Sequence, residues 1–253
     1  MRQSAAPMAR VLILGANSAI AREFAVRCAA RGDRLYLVGR DATKLSALKS
    51  ELSSNVEGDA VADLTDTRSN AALIEQAIQT LGELDLVLIA HGFIGDQIET
   101  EHSWEAAQQV LATNFLSVVS LLIPLANQLE RQGHGNLVVL ASVAGDRGRP
   151  RNYTYGSAKG ALNVYLEGLR SRLYGTGVKV FTIHLGPVHT PMTVDHKKNA
   201  LFAHPGPIAE DLLRIVERGR QDVHLPWFWA PIMAVVRNLP EPLFQRLGFL
   251  SGR

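Results

Sequence analysis

The sequence predicts a single-domain α/β fold: a doubly wound parallel sheet of about seven strands with helices on both faces. Three observations lead there. Short, wholly apolar runs alternate along the chain with amphipathic stretches, and wholly apolar strands are those buried on both faces of a helix-covered parallel sheet. Right-handed crossovers between such strands distribute the helices over both faces. The length, 253 residues, suits one α/β unit.

The elements follow in order. Val11-Leu12-Ile13-Leu14 is the first strand, and residues 18–30 carry a helical pattern closed by Gly32-Asp33. Residues 35–38 form the second strand. Asp41 then caps a helix bearing Leu45, Leu48 and Leu52 at three-to-four spacing. A weaker strand at 56–62 precedes a helical stretch at 66–81 and a strand at 84–90. Residues 104–131 suit a helix buried on more than one side, with Pro124 marking a kink or a break. A strand at 137–140, a helix at 153–174 ending at Gly175, and strands at 178–185 and 223–226 complete the pattern. No linker, repeat or low-complexity stretch interrupts it, so residues 1–226 read as one unit and 227–253 as an apolar extension.

Composition excludes several function classes. Hydrophobic residues make up 47% and charged residues 20%, a globular balance and not that of a disordered or fibrous chain. Twenty-six basic against twenty-four acidic side chains leave a net charge of +2, which lacks the concentrated basic field of a nucleic-acid partner. The single cysteine, Cys28, permits no internal disulfide and points to a reducing compartment, the cytoplasm; its place among apolar residues suggests packing. The uncharged run 106–129 is interrupted by polar residues such as Gln108, Asn114 and Gln128, so no membrane-spanning helix is expected. Residues 1–8 read as a loose leader. His91, His184 and His189 match no metal-ligand spacing, and no metal site is expected.

Ligands of such sheets bind beyond the carboxyl ends of the strands. The first strand ends in Gly15-Ala16-Asn17-Ser18-Ala19-Ile20-Ala21, a turn into a helix where backbone approaches a pyrophosphate. Asn17 and Ser18 are placed to donate to phosphate oxygens above the helix N-terminus. Tyr155 and Lys159, four apart on one helix, share a face. A free phenol titrates near pH ~10, and a neighbouring ammonium lowers that value toward a useful range. Ser142 ends the preceding strand and can bond a substrate oxygen beside the phenol. Asn114, a polar amide in an apolar helix, is either a satisfied core group or the holder of a water next to Lys159.

Taken together, Gly15, Asp63, Asn114, Ser142, Tyr155-x-x-x-Lys159 and Gly186-Pro187-Val188-His189-Thr190 resemble the short-chain dehydrogenase/reductase family over residues 10–226. The resemblance implies a Rossmann-type dinucleotide-binding catalytic domain and an NAD(P)-dependent oxidoreductase that interconverts a carbonyl and a secondary alcohol. It implies Asn114, Ser142, Tyr155 and Lys159 as the catalytic tetrad. Coenzyme contacts would come from Gly15, Asn17, Ser18, Ala19, Ile20, Asp63, Leu64, Ala90, His91, Gly92, Tyr155, Lys159, Val188 and Thr190. The acid that would bond the ribose of NAD falls near Gly39 and is absent, while Arg40 can grip the 2′-phosphate of NADP. NADP(H) is therefore the expected coenzyme, with NAD(H) as the alternative.

The sequence departs from the family pattern in its turns: Ala19 and Ala21 replace glycines, Ile89-Ala90-His91-Gly92 follows the fourth strand, and Leu185-Gly186 follows the sixth. The extension carries Trp227, Phe228 and Trp229 with Arg237, Arg246 and Arg253. It suits a cap on the substrate pocket, a subunit interface, or an interfacial anchor giving peripheral membrane contact. It resembles the tail of the decaprenylphosphoryl ketopentose reductase subgroup, which implies a lipid-linked keto-sugar where a small-molecule carbonyl or alcohol is otherwise expected. A homodimer or homotetramer is the expected assembly. The alternative from another class is a coenzyme-binding interaction protein with weak turnover. Residues 192–207, with His196, Lys197, Lys198 and His204, suggest a flexible loop over the pocket.

Overall fold

The computed structural model describes residues 8–52, 54–193 and 200–248. The strands are β1 (Arg10–Leu14), β2 (Arg34–Gly39), β3 (Val56–Val61), β4 (Leu86–Ile89), β5 (Gly135–Leu140), β6 (Val178–Leu185) and β7 (Asp222–Leu225). They form one sheet in the order β3-β2-β1-β4-β5-β6-β7, parallel at every pairing. The order reverses between β1 and β4. A crevice opens there because the loops leaving the two strands run to opposite faces.

One face is covered by α1 (Ala19–Ala30), α2 (Ala42–Glu51) and α8 (Pro205–Arg218), whose Phe24, Leu45, Ile208 and Leu212 are buried against Val11, Ile13 and Phe181. Cys28 lies fully buried in this layer, as packing requires. The other face is covered by α3 (Asn70–Leu81), α6 (Ser117–Gln132) and α7 (Tyr153–Arg172), with Ile74, Leu121, Leu125 and Leu166 against Leu12, Val87 and Leu137. Adjacent residues of β1 go to opposite layers, which is why the strand reads as an unbroken apolar run.

Several expectations need correction. The helix foreseen from residue 66 starts at Asn70, because Asp66 and Ser69 close turns with backbone bonds from Asp66 to Asp63 and from Ser69 to Asp66. Pro124 sits inside α6 without ending it. The irregularity falls earlier, in a π-helical turn (Ala112–Leu116) between α5 (Trp104–Leu111) and α6. The whole run Trp104–Gln132 is long and apolar enough to cross a membrane, despite the polar residues that argued otherwise. Its apolar side is nonetheless committed to the core, where Val118, Leu121, Leu122 and Leu129 are buried. Between Met192 and Pro207 a 3-10 turn (Pro191–Thr193) precedes α8, which begins at Pro205; His196, Lys197 and Lys198 lie outside the described residues, as do residues 1–7 of the leader and Arg253. The extension folds as α9 (Trp229–Asn238) and α10 (Glu241–Arg246), and α4 (Gln97–His102) follows the β4 loop.

Candidate active site

A cavity of about 800 Å³ runs along the carboxyl ends of the strands, from the β1–α1 turn to Trp229 of α9. Its coenzyme-like end is shaped by close backbone approach. Gly15 has φ +88°, and a Cβ there would lie 2.6 Å from the His91 backbone nitrogen, so only glycine fits. Ser18 caps α1, its hydroxyl accepting from the Ala21 N–H at 3.2 Å, and its own proton stays available to a ligand. Asn17 is less free than expected. Its Oδ1 accepts from the Asp41 N–H at 3.0 Å, tying the first turn to the one after β2. Asp41 in turn caps α2 by accepting from the Lys44 N–H. Arg40, Asp63 and Leu64 line the same end of the cavity. Hydrogen bonds from the Thr65 backbone and hydroxyl hold the Asp63 carboxyl below its usual range. Ala19, Ile20, Ala90, Gly92, Val188 and Thr190 also line the cavity.

His91 is half-buried there, and desolvation of its ring pushes its pKa down to about 3, so it is a neutral imidazole. The Ser117 hydroxyl donates to the Thr113 carbonyl and so accepts from His91 Nε2 at 2.8 Å. Nδ1 is then the acceptor nitrogen, buried without a partner.

At the other end, two glycines draw the turn after β5 onto α7. A Cβ at Gly145 would lie 2.6 Å from the Lys159 backbone, and one at Gly156 would lie 2.8 Å from the Ala144 carbonyl oxygen. This contact sets Ser142 beside Tyr155 and Lys159, and all three line the cavity. The Lys159 ammonium is 3% exposed, donates to the Leu140 carbonyl at 2.8 Å and stands 5.9 Å from the Tyr155 ring centre. Burial pushes it down to about 8. Burial also pushes the Tyr155 phenol up to about 12, opposed by the nearby Ser142 hydroxyl. The Lys159 ammonium is directed at the Leu140 carbonyl, and burial is what prevails at the phenol.

Asn114 is fully buried and absent from the cavity wall. Its amide donates to the carbonyls of Phe93 and Val110 at 2.6 and 2.8 Å and accepts from the Phe93 N–H at 3.1 Å. Of the two alternatives left open by the sequence, the satisfied core amide is the one present, and it pins the loop after β4 beside the π turn.

The imidazoles differ from expectation in one respect. His184 and His224 both bond Asp146, at 2.8 and 2.9 Å, and their rings stack. Donor atoms of these three residues lie within 4.8 Å of one another, as in a cation site. No sequence spacing announces the set because it comes from three separate segments, and here its donors are committed to each other. His189 instead stacks on His204.

The sequence reading missed Arg147, Arg149, Asn152 and, as a cavity residue, Trp229. Arg147 holds the tail: it donates to the Val236 and Leu239 carbonyls, each at 2.6 Å, pairs with Glu241 at 2.8 Å, and lies 4.1 Å from the Phe244 ring centre. Trp229, Met233, Val236 and Phe244 form a small core with Val143. Arg149, Asn152 and Trp229 face the cavity. The signals in the sequence were Arg147, Arg149 and Arg151 just after Ser142 and, for Trp229, the reading of the extension as a cap on the pocket.

Residues 9–200 match the family model described as short chain dehydrogenase. The chain belongs to the short-chain dehydrogenase/reductase family. It is thus an oxidoreductase acting between CH–OH and C=O groups with NAD(P). An uncharacterized oxidoreductase of Streptomyces coelicolor is 36% identical over 249 residues, covering 97% of this chain and 98% of that one. One from Mycobacterium tuberculosis is 33% identical, covering 94% and 97%. A Burkholderia cenocepacia short chain dehydrogenase solved in complex with NADP shares the fold, with TM-score 0.82 at 18% identity over 95% of this chain and 97% of that one.

Proposed function

We propose that the protein is an NADP(H)-dependent carbonyl reductase in which Tyr155 is the acid–base residue. The observation that carries this reading is the convergence of Ser142, Tyr155 and Lys159 on one wall of the cavity. The opposite end suits a dinucleotide: Gly15 admits backbone approach, Ser18 retains a free donor proton, and His91 Nδ1 is an unpartnered buried acceptor. Arg40 lines that end with no carboxylate at salt-bridge distance among the described residues, which favours a phosphate-bearing coenzyme. Bound NADPH supplies the hydride.

The chain's residues do the rest. The Ser142 hydroxyl and the Tyr155 phenol bracket the substrate carbonyl oxygen. A phenol held near 12 is fully protonated at neutral pH, which is the state needed to donate to a developing alkoxide. Lys159, still mostly cationic at pH 7 with a value near 8, stabilises the phenolate left behind. Asn114 acts as a positioning residue: through Phe93 it fixes the loop that carries Gly92 along the cavity.

The test is oxidation of NADPH and of NADH over a panel of ketones, keto acids and keto-sugars. Tyr155→Phe is expected to lower kcat by about 10² to 10⁴-fold while NADPH affinity stays within a few-fold of the unmodified protein. Full turnover by that variant, or a preference for NADH, would refute the corresponding half of the proposal.

A further inference from the structure

Three polar atoms at the Ser142–Tyr155 end of the cavity are buried without any hydrogen-bond partner: Arg149 Nε, Asn152 Oδ1 and Trp229 Nε1. All three residues line the cavity. Buried polar groups are nearly always satisfied, so three orphans on residues lining one cavity point to something that cavity is built to hold.

The guanidinium is the strongest of the three. Its one hydrogen-bond contact among the described residues is Nη2 to the Met233 sulfur at 3.1 Å, and a thioether is a weak acceptor. No carboxylate lies within salt-bridge distance of it among the described residues. The nearest acid in sequence, Asp146, has one oxygen bonded to His184 and the other to His224. Burial disfavours the charge of Arg149, yet arginine does not deprotonate in proteins. The fold therefore keeps a half-buried cation without a carboxylate partner beside Ser142 and Tyr155, an arrangement that a ligand would complete.

The neighbouring groups narrow the chemistry. Trp229 holds its indole N–H in place by packing on the backbone: a Cβ at Gly186 would meet Nε1 at 2.0 Å, so the ring fills the space a side chain there would take. Guanidinium and indole are both donors with no acceptor capacity. Their common partner is an oxygen-rich, negatively charged group, and a planar guanidinium suits two oxygens at once. Asn152 Oδ1 adds an acceptor for a substrate hydroxyl.

We propose that the carbonyl substrate carries an anionic oxygen group, a carboxylate or a phosphate, which seats on Arg149 with the Trp229 indole as second donor. This deepens the reductase reading and rests on it for the position of the carbonyl. It also gives the tail helix a part in specificity, since one of the two donors comes from α9.

The test uses binding as well as turnover. The NADPH-loaded full chain is titrated calorimetrically with a graded series of keto acids, each paired with its primary amide, and with keto phosphates paired with the parent hydroxyketones. The anionic member of at least one pair is expected to bind about tenfold tighter or more, and the pair that shows it tells carboxylate from phosphate. Arg149→Met removes that preference, Arg149→Lys retains part of it, and Trp229→Phe weakens the anion several-fold while preserving the ring. Unchanged NADPH affinity reports that each variant is folded. Equal binding of charged and neutral members, no binding by any anion, or a preference that survives in Arg149→Met would overturn the proposal. Anion preference without NADPH oxidation would keep the subsite and remove the reductase reading. Equal rates for acid and amide would do the reverse.

Discussion

A Cβ at Gly39 would lie 2.2 Å from Asn17 Oδ1, and that contact explains at the level of one residue why no acid stands where an NAD-type ribose contact would be. The Asn17 carboxamide, held there by the hydrogen bond it accepts from the Asp41 N–H, occupies the space. In the proposed reading Arg40 is only half of the coenzyme determinant; the Asn17–Gly39 approach is the other half, and the sequence showed glycine there without showing its cause. Gly39→Asp is expected to destabilise the fold by about 1–3 kcal/mol, the usual range for overpacking, without conferring preference for NADH. Asn17→Ser in the same chain should recover much of that loss. Thermal melts of the single and double variants check the coupling; additive losses would show that the two sites do not share this space.

The C-terminal extension is the element whose role the sequence left open. Its inward residues, Trp229, Met233, Val236 and Phe244, are buried against Val143, while Trp227 and Val235 remain 76% and 61% exposed. One face caps the cavity and the other faces outward. Attachment depends heavily on Arg147, which satisfies carbonyls near the end of α9 and pairs with the first residue of α10. Arg147→Ala should therefore loosen α9 and α10 and leave the sheet intact. Hydrogen exchange is expected to speed up across residues 229–246 while protection in β1, β4 and β5 stays unchanged. Uniform change through the chain, or none in the tail, would contradict this assignment.

At the scale of the molecule, the Asp146–His184–His224 network joins the turn after β5 to the ends of β6 and β7. Asp146 and Asp222 bond His184, with Arg170 and His224 also facing the cluster. Burial opposes the His184 charge, but its bonds to Asp146 and Asp222 prevail and raise it to about 9, above the unfolded value of about 6.5. Its contribution to stability is thus complete below pH ~6.5 and is lost as pH rises through ~9, on the order of 1–3 kcal/mol. Asp146, held below the carboxylate range by the two imidazoles despite its burial, acts in the opposite direction at acid pH. Melting temperature should fall between pH ~6.5 and ~9, and His184→Asn should flatten that slope. An unchanged slope in the variant would assign the pH dependence to other groups.

The succession of strands and helices, the two helical layers and the Tyr155–Lys159 pair were legible because they rest on periodicity, and the chain alone fixes what lies two, three or four residues apart. The amino-acid sequence by itself determined the doubly wound sheet, the edge along which the cavity opens and the side-chain types available at Ser142, Tyr155 and Lys159. Tertiary structure alone decided that Asn114 faces the core, that Trp229 takes the space over Gly186, and that Arg149 is left unpaired at the cavity wall. It also decided that burial raises the Tyr155 phenol, opposed only by the Ser142 hydroxyl. Each of these depends on how much water the fold removes and which distant segment replaces it. Desolvation and contact are properties of the packed chain, with no counterpart in residue spacing.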